Sequence, residues 1–183
     1  MSYPDDLFLI GEREGYSPKV GVLVSMLANS RHYLLRAVRD LTPEQLDAPP
    51  QGAINSVGAL LAHLDAAENL FQRITFESRR FDEAEAARYN PAFRFEPGPH
   101  SRGRTLESYL HDLAETRART LAALKQRDDA WLQEPKTFSG QPANVHYYWF
   151  HYLQDEVRHT GQISLIRKHL IPGASPDFNP YAL

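Results

Sequence analysis

Asp155 and His159 are the residues whose types and spacing most directly suggest chemistry in this sequence. They lie four residues apart in the stretch YYWFHYLQDEVRHTGQISLIRKHL (147–170), which has the apolar periodicity of an amphipathic helix. Both side chains fall in the middle of the apolar face, one turn apart, so they can converge on one point. Burying a polar group without a partner costs about 2–7 kcal/mol. A divalent metal ion or a hydrogen-bond network would supply that partner.

His63 is a third residue of metal-ligand type, and it lies on the second predicted helix. Its neighbours on the helical wheel are all apolar, namely Ala59, Leu60, Ala67, Leu70 and Ile74. A lone histidine in such surroundings is more often a core residue bonded to a carbonyl or carboxylate than a ligand. The Asp155–His159 pair favours the ligand interpretation, because three such groups then occupy the centres of two apolar faces. Apart from Arg31, we expect no other ionisable residue in such a position.

Together, His63, Asp155 and His159 offer two nitrogen donors and one oxygen donor. This donor set suits a divalent ion such as Zn²⁺, Ni²⁺, Fe²⁺ or Mn²⁺, with positions left open for water or substrate. The sequence does not choose among these ions. His151 and Glu156 are weaker alternatives as ligands, because they lie about 80° and 60° from His159 on the wheel.

Arg31 lies within the apolar stripe of the first predicted helix. We favour the interpretation that its stem runs along the core and its head is exposed or pairs with a buried acid such as Asp155 or Glu156. The alternative is an anion clamp at the mouth of a pocket. The charged segments TRART (116–120) and KQRDD (125–129) are expected to form a solvated helix face, and His100 and His111 to be exposed.

Four long amphipathic helices are needed to position these residues. They are predicted from Pro18 to about Asp40, from Val57 to about Ser78, from the Thr105 cap to about Trp131, and over the stretch that contains Asp155. This pattern predicts an all-α four-helix bundle in a single domain, 1–183, with an extended arm at 1–16 and a tail at 171–183. The link between helices two and three is long enough to be a crossover, with one or two helical turns at EAEAARY (83–89). Residues 132–142 are predicted as a connector.

The composition excludes several classes of function. The 183 residues include 42% hydrophobic residues, carry a formal charge of -3 and contain no cysteine. We therefore expect no nucleic-acid partner and no membrane partner. The absence of cysteine excludes thiolate nucleophiles and zinc–thiolate sites, and together with the absence of a signal peptide it indicates a cytoplasmic protein.

Three segments resemble the DinB superfamily, also described as DinB/YfiT-like: LVSMLANSRHYLLRAVRDLTPEQLD, NSVGALLAHLDAAENLF and DEVRHTGQISLIRKHL. The strongest element of the resemblance is the histidine followed by Gly-Gln, here 159–162. The resemblance implies a metal-binding four-helix bundle, commonly a homodimer, with one histidine ligand on helix two and an i, i+4 pair on helix four. The corresponding residues are His63, Asp155 and His159. Many members have histidine where this chain has Asp155, although some relatives associated with thiol transfer have an acid there. A lost site in which Asp155 bonds one histidine therefore stays open.

The function that this resemblance implies is the transfer of a low-molecular-weight thiol to an electrophilic small molecule. A bound cation would lower the pKa of the thiol, and the thiolate would attack the substrate. The substrate pocket is predicted to include Arg31, Tyr148, Trp149, Tyr152, Glu156 and Gln162, although for each aromatic residue taken separately we favour a core position. No catalytic residue is assigned. The alternatives are a non-catalytic, stress-associated metal-binding bundle and a metal-dependent hydrolase.

Overall fold

The computed structural model describes residues 6–49 and 55–170. The helices are α1 (Pro18–Val38), α2 (Pro43–Asp47), α3 (Val57–Phe76), α4 (Glu83–Phe93), α5 (Leu106–Leu124) and α6 (Val145–Leu170). A 3₁₀ turn at Trp131–Gln133 precedes an antiparallel hairpin of β1 (Pro135–Phe138) and β2 (Gln141–Asn144), in which Pro135 is opposite Asn144. None of the helices in this part of the chain combines the length and apolar character that crossing a bilayer requires.

Side-chain caps explain where most of the helices begin. The side chains of Ser56 and Thr105 accept hydrogen bonds from the third residue of α3 and α5, as their sequence pattern predicts. Thr42 and Asp82 each form a full capping box, at α2 and α4. At α1 the cap is supplied from elsewhere in the chain: the Asp129 carboxylate accepts bonds from the Ser17 hydroxyl at 2.7 Å and from the Lys19 amide at 2.8 Å.

Two core clusters set the directions of the four long helices. One cluster joins the beginnings of α1 and α6 to the ends of α3 and α5, with Val20, Leu27, Phe71, Leu124 and Trp149 among its members. The other joins the ends of α1 and α6 to the beginnings of α3 and α5, with Leu34, Leu60, Leu113 and Ile163 among its members. Helices α1 and α6 therefore run one way, and α3 and α5 run the other way. The predicted all-α bundle with a crossover between its second and third long helices is confirmed.

Several predicted boundaries are wrong. Helix α5 ends at Leu124 rather than near Trp131, and the predicted connector at 132–142 contains the hairpin. Ser139 and Gly140, which have φ values of 50° and 77°, form the tight turn that closes this hairpin. Helix α4 has 11 residues instead of one or two turns. Residues 6–16 contain turns, with Leu7 buried; the rest of the predicted arm and the tail lie outside the described residues.

Candidate functional site

His63 of α3 and His159 of α6 meet at the seam between these two helices. Their ring centroids are 4.9 Å apart, and the ring planes make an angle of 76°. Because α3 runs antiparallel to α6, the first half of α3 lies beside the second half of α6. This arrangement brings His63 and His159 to the same level of the bundle. The structure thus brings together two of the three residues that the sequence pattern assigns to a metal site.

The end of the crossover covers this imidazole pair. The Phe95 ring stacks on His63 at 4.8 Å and 19°, and the Phe93 ring meets His63 edge-on at 5.5 Å. Phe95 has a φ of 52°, an uncommon conformation for a bulky residue. This turn at the end of α4 directs the Phe95 ring over the imidazole and shields that side of the pair from water.

Both histidines present an Nδ1 atom to an oxygen acceptor. His159 Nδ1 lies 2.7 Å from Gln162 Oε1, and His63 Nδ1 lies 3.4 Å from the Ala92 carbonyl oxygen. An imidazole that donates its Nδ1 proton keeps a lone pair on Nε2, and this is the tautomer that can bind a metal ion through Nε2. Gln162, which the sequence analysis places in the substrate pocket, thus contacts the ring of His159.

The surroundings of His63 keep its ring neutral. Burial lowers the pKa of His63, the neighbouring His159 ring lowers it further, and Asp155 acts in the opposite direction. A neutral imidazole near pH 7 is the form that ligates metals, since protonation removes the lone pair.

Asp155 lies one turn before His159, but its carboxylate is directed to other groups. Oδ2 is 3.6 Å from His151 Nε2, and Oδ1 is 3.7 Å from the Arg158 guanidinium. Among residues 6–49 and 55–170, no three side chains of ligand type stand close enough together to hold one ion. The two imidazoles are suitable metal ligands by their chemistry. The assignment of Asp155 as the third ligand stays a prediction.

A buried ionic network crosses the middle of the bundle and includes one charged residue from each long helix. Arg31 of α1 donates to Glu156 of α6 at 2.7 Å and to Glu68 of α3 at 3.1 Å. Arg117 of α5 donates to Glu68 at 2.6 Å and approaches Glu156 at 3.4 Å. The Tyr152 hydroxyl donates to Glu68 at 2.8 Å. Two cations and two anions thus compensate one another, and the predicted pairing of Arg31 with Glu156 is confirmed.

The two guanidinium groups of the network keep the Glu68 carboxylate ionised. Burial alone would raise the pKa of Glu68, but the guanidinium groups of Arg117 and Arg31 outweigh burial and lower it. Glu68 and Glu156 are both fully buried. A buried charge without its partner is strongly destabilising, so the network holds the four helices in one register.

The burial of Glu68 and Arg117 differs from the sequence predictions. No ionisable residue other than Arg31 and His63 is expected on an apolar stripe of the first three helices, and residues 116–120 are expected on a solvated face. Both predictions are wrong, because Glu68 and Arg117 are buried, as are Thr116 and Thr120. The spacing contains the missed signal: Arg117 follows Leu113 by four residues, and Glu68 follows Leu64 by four.

Most of the residues predicted to line a substrate pocket lie in the core. Arg31, Tyr152 and Glu156 belong to the buried network, and Trp149 is fully buried. The Tyr148 hydroxyl donates to the Thr137 carbonyl of the hairpin at 2.7 Å. These placements agree with the alternative that the aromatic residues are core, and a contact with substrate stays a prediction.

Two further histidines were expected to be exposed. His111 is exposed as predicted, whereas His100 is only partly exposed and its Nε2 is buried. The loop after α4 folds back against the bundle at this point, so the prediction for His100 is wrong.

Comparison with known families agrees with this architecture. Residues 22–171 match the family described as mycothiol S-transferase. That span covers well over half of the chain and includes all four long helices except the first residues of α1. The family belongs to the DinB/YfiT-like superfamily, so the resemblance seen in the sequence is confirmed. No curated protein matches the chain.

Proposed function

The chain belongs to the mycothiol S-transferase family, and from this premise we propose that it transfers a low-molecular-weight thiol to an electrophilic small molecule beside the His63–His159 pair. The observation that carries the proposal is the contact between these two imidazoles, each with its Nδ1 directed to an oxygen acceptor. The chain contains no cysteine, so the sulfur nucleophile must come from a cosubstrate.

We propose that His63, His159 and Asp155 hold one divalent ion, with Zn²⁺, Ni²⁺, Fe²⁺ and Mn²⁺ as the candidates. Such an ion, when bound, lowers the pKa of a coordinated thiol. Gln162 and the Ala92 carbonyl keep the histidine protons on Nδ1, and Phe93 and Phe95 exclude water from the crossover side. In the reaction, sulfur forms the new bond to the electrophilic carbon, the leaving group departs with its electron pair, and the thiol proton goes to solvent.

The outer face of α6 supports a second proposal, that the protein is a homodimer. Phe150, Val157 and Leu165 are each about half-exposed and follow one another at helical spacing. A stripe of exposed large apolar side chains along one helix is typical of a subunit interface. Within the cell, we place the reaction in the cytoplasm, where small thiols are kept reduced.

Mass spectrometry of reaction mixtures tests the proposed transfer. The untagged protein, loaded with each candidate metal, is incubated with a panel of small thiols and an alkylating electrophile such as monochlorobimane. We expect a thiol adduct to form faster than in buffer with at least one thiol. His159→Ala should reduce this rate to the buffer level, because it removes one of the two imidazoles, whereas His111→Ala on the exposed face of α5 should leave it unchanged.

The absence of any accelerated adduct, with every thiol and every metal, would contradict the proposed transfer. A rate that His159→Ala leaves unaltered would contradict the assignment of the site.

A further inference from the structure

A cavity with a positively charged lining lies between the end of α3, strand β1 and the first turn of α6. Its volume is about 230 Å³. The lining includes the cationic side chains of Arg79, Arg80 and Lys136 and the hydroxyl of Ser78. No carboxylate of the described residues lines this cavity. The lining itself therefore selects a negatively charged ligand.

The arginines of the cavity differ in how their charges are compensated. Arg79 is paired with Glu77 at 2.7 Å and with Glu85 at 2.6 Å, so its charge is already balanced. The guanidinium of Arg80 makes neither an ion pair nor a hydrogen bond with any residue of 6–49 or 55–170. Arg80 is exposed at the rim, where its planar fork of donors can receive a ligand from solvent.

The turn that ends α3 places a hydroxyl and an ammonium group beside this guanidinium. Ser78 has a φ of 53° and directly follows the C-cap Glu77, at a position where glycine is the usual residue. The Ser78 hydroxyl accepts a hydrogen bond from the Lys136 ammonium at 3.1 Å. Lys136 thus bonds to an uncharged acceptor and keeps further N–H donors for a ligand. A non-glycine residue held in a strained conformation often marks a functional position.

The floor of the cavity is apolar and rigid. It is formed by Ile74 and by Tyr148, which is only 5% exposed. The Tyr148 hydroxyl donates to the Thr137 carbonyl at 2.7 Å, which fixes the ring against the hairpin. Burial raises the pKa of Tyr148 and Arg80 acts in the opposite direction, in agreement with a guanidinium near the phenol. The ligand therefore meets charge at the rim and apolar surface below.

We propose that this cavity binds a phosphate monoester. The phosphate oxygens accept hydrogen bonds from Arg80, Lys136 and the Ser78 hydroxyl, and the ester group packs against Ile74 and Tyr148. Two cations match the charge of the dianion, and one guanidinium can donate to two of its oxygens at once. The cavity lies beyond the end of α3, whereas the imidazole pair involves its first half. This inference does not depend on the proposed thiol transfer.

Calorimetric titration of the full-length protein with phenyl phosphate tests the proposal. The titration is done at pH 8, above the second pKa of about 6 of a phosphate monoester, and with EDTA, which keeps metal from the imidazole pair. We expect saturable binding. Arg80→Gln and Lys136→Met should each weaken it about tenfold or more, because each removes hydrogen bonds to a charged group. Arg102→Gln, an exposed arginine in the loop after α4, is the matched control and should bind as the wild type does.

Ser78→Gly separates the binding role of this residue from its structural role. Glycine adopts a positive φ without strain, so the melting temperature should rise. Binding of phenyl phosphate should nevertheless become weaker, because the hydroxyl is lost. A Ser78→Gly protein that binds as tightly as the wild type would contradict the assigned role of the hydroxyl.

Two related anions test the chemistry of the ligand. Benzenesulfonate has a similar shape but carries one charge, so it should bind about tenfold more weakly than phenyl phosphate. Inorganic phosphate lacks the apolar ester group and should also bind more weakly. Absence of saturable binding of phenyl phosphate, equal binding of either related anion, or wild-type binding by both Arg80→Gln and Lys136→Met would each overturn the proposal.

Discussion

At the scale of single residues, the most consequential feature is Glu68. It lies fully buried at the centre of the network and accepts hydrogen bonds from two guanidinium groups, the Tyr152 hydroxyl and the Thr120 hydroxyl. Each of these donors comes from a different helix from that of Glu68. One carboxylate therefore links α3 to the other three long helices, and its charge is needed to compensate Arg117.

Replacing Glu68 should destabilise the fold severely. Glu68→Gln keeps the shape but leaves Arg117 and Arg31 undercompensated, and breaking a buried pair in this way costs about 3–5 kcal/mol. The loss is measured by urea denaturation, with Glu115→Gln on the exposed face of α5 as the matched control. The pKa of Glu68 is lowered from its ordinary value of 4.5, so its contribution is present above that pH and is lost as the pH falls through the lowered pKa. Glu68→Gln should therefore flatten the acid side of the stability profile. A loss below about 1 kcal/mol would contradict this account of the network.

At the scale of elements, α6 performs two tasks on opposite faces. Its inner face carries Tyr152, Glu156 and His159, which belong to the network and to the imidazole pair. Its outer face carries the exposed apolar side chains that we assign to a dimer interface. Because Glu156 immediately follows Asp155 and precedes His159 by one turn, the ion pair between Glu156 and Arg31 also fixes the rotation of α6 at the candidate site.

A charge on the outer face of α6 should separate the proposed dimer. Val157→Glu places a carboxylate in the middle of the exposed apolar stripe, where pairing with a second copy would leave it desolvated. Sedimentation equilibrium should show a dimer for the wild type and a monomer for Val157→Glu. Ala122→Glu, which adds the same charge on the exposed face of α5, should remain dimeric. A monomeric wild type would contradict the proposed dimer.

At the scale of the whole molecule, the parts that sequence could predict are those governed by local rules. Capping residues such as Ser56 and Thr105 fixed the starts of helices, and apolar periodicity predicted the bundle and placed His63 and His159 on apolar helix faces. The hairpin was missed because its strands are short and contain Pro135 and Pro142, which are typical of loops. The burial of Glu68 and Arg117 was not predicted because their charges are compensated by residues on helices that are distant in the sequence. The only local signal of burial is that each of the two follows a leucine by four residues.

The direction of the Asp155 side chain also depends on tertiary contacts. A helical wheel places Asp155 on the face of His159, but the choice between His63 and His151 as its partner depends on rotamers and on the crossover residues that cover the pair. The contact between the two imidazoles therefore agrees with the sequence prediction, whereas the direction of the Asp155 carboxylate could not be predicted from the helical wheel.

The metal content of the untagged protein tests the central claim most directly. After loading with each candidate ion and removal of the excess, mass spectrometry of the bound metal should give about one ion per chain for at least one metal, as a single site of this donor set requires. His63→Ala and His159→Ala should each abolish retention, and His111→Ala should preserve it. A wild-type protein that retains none of the four ions, or a His159→Ala protein that retains metal as the wild type does, would contradict the claim that these imidazoles form a metal centre.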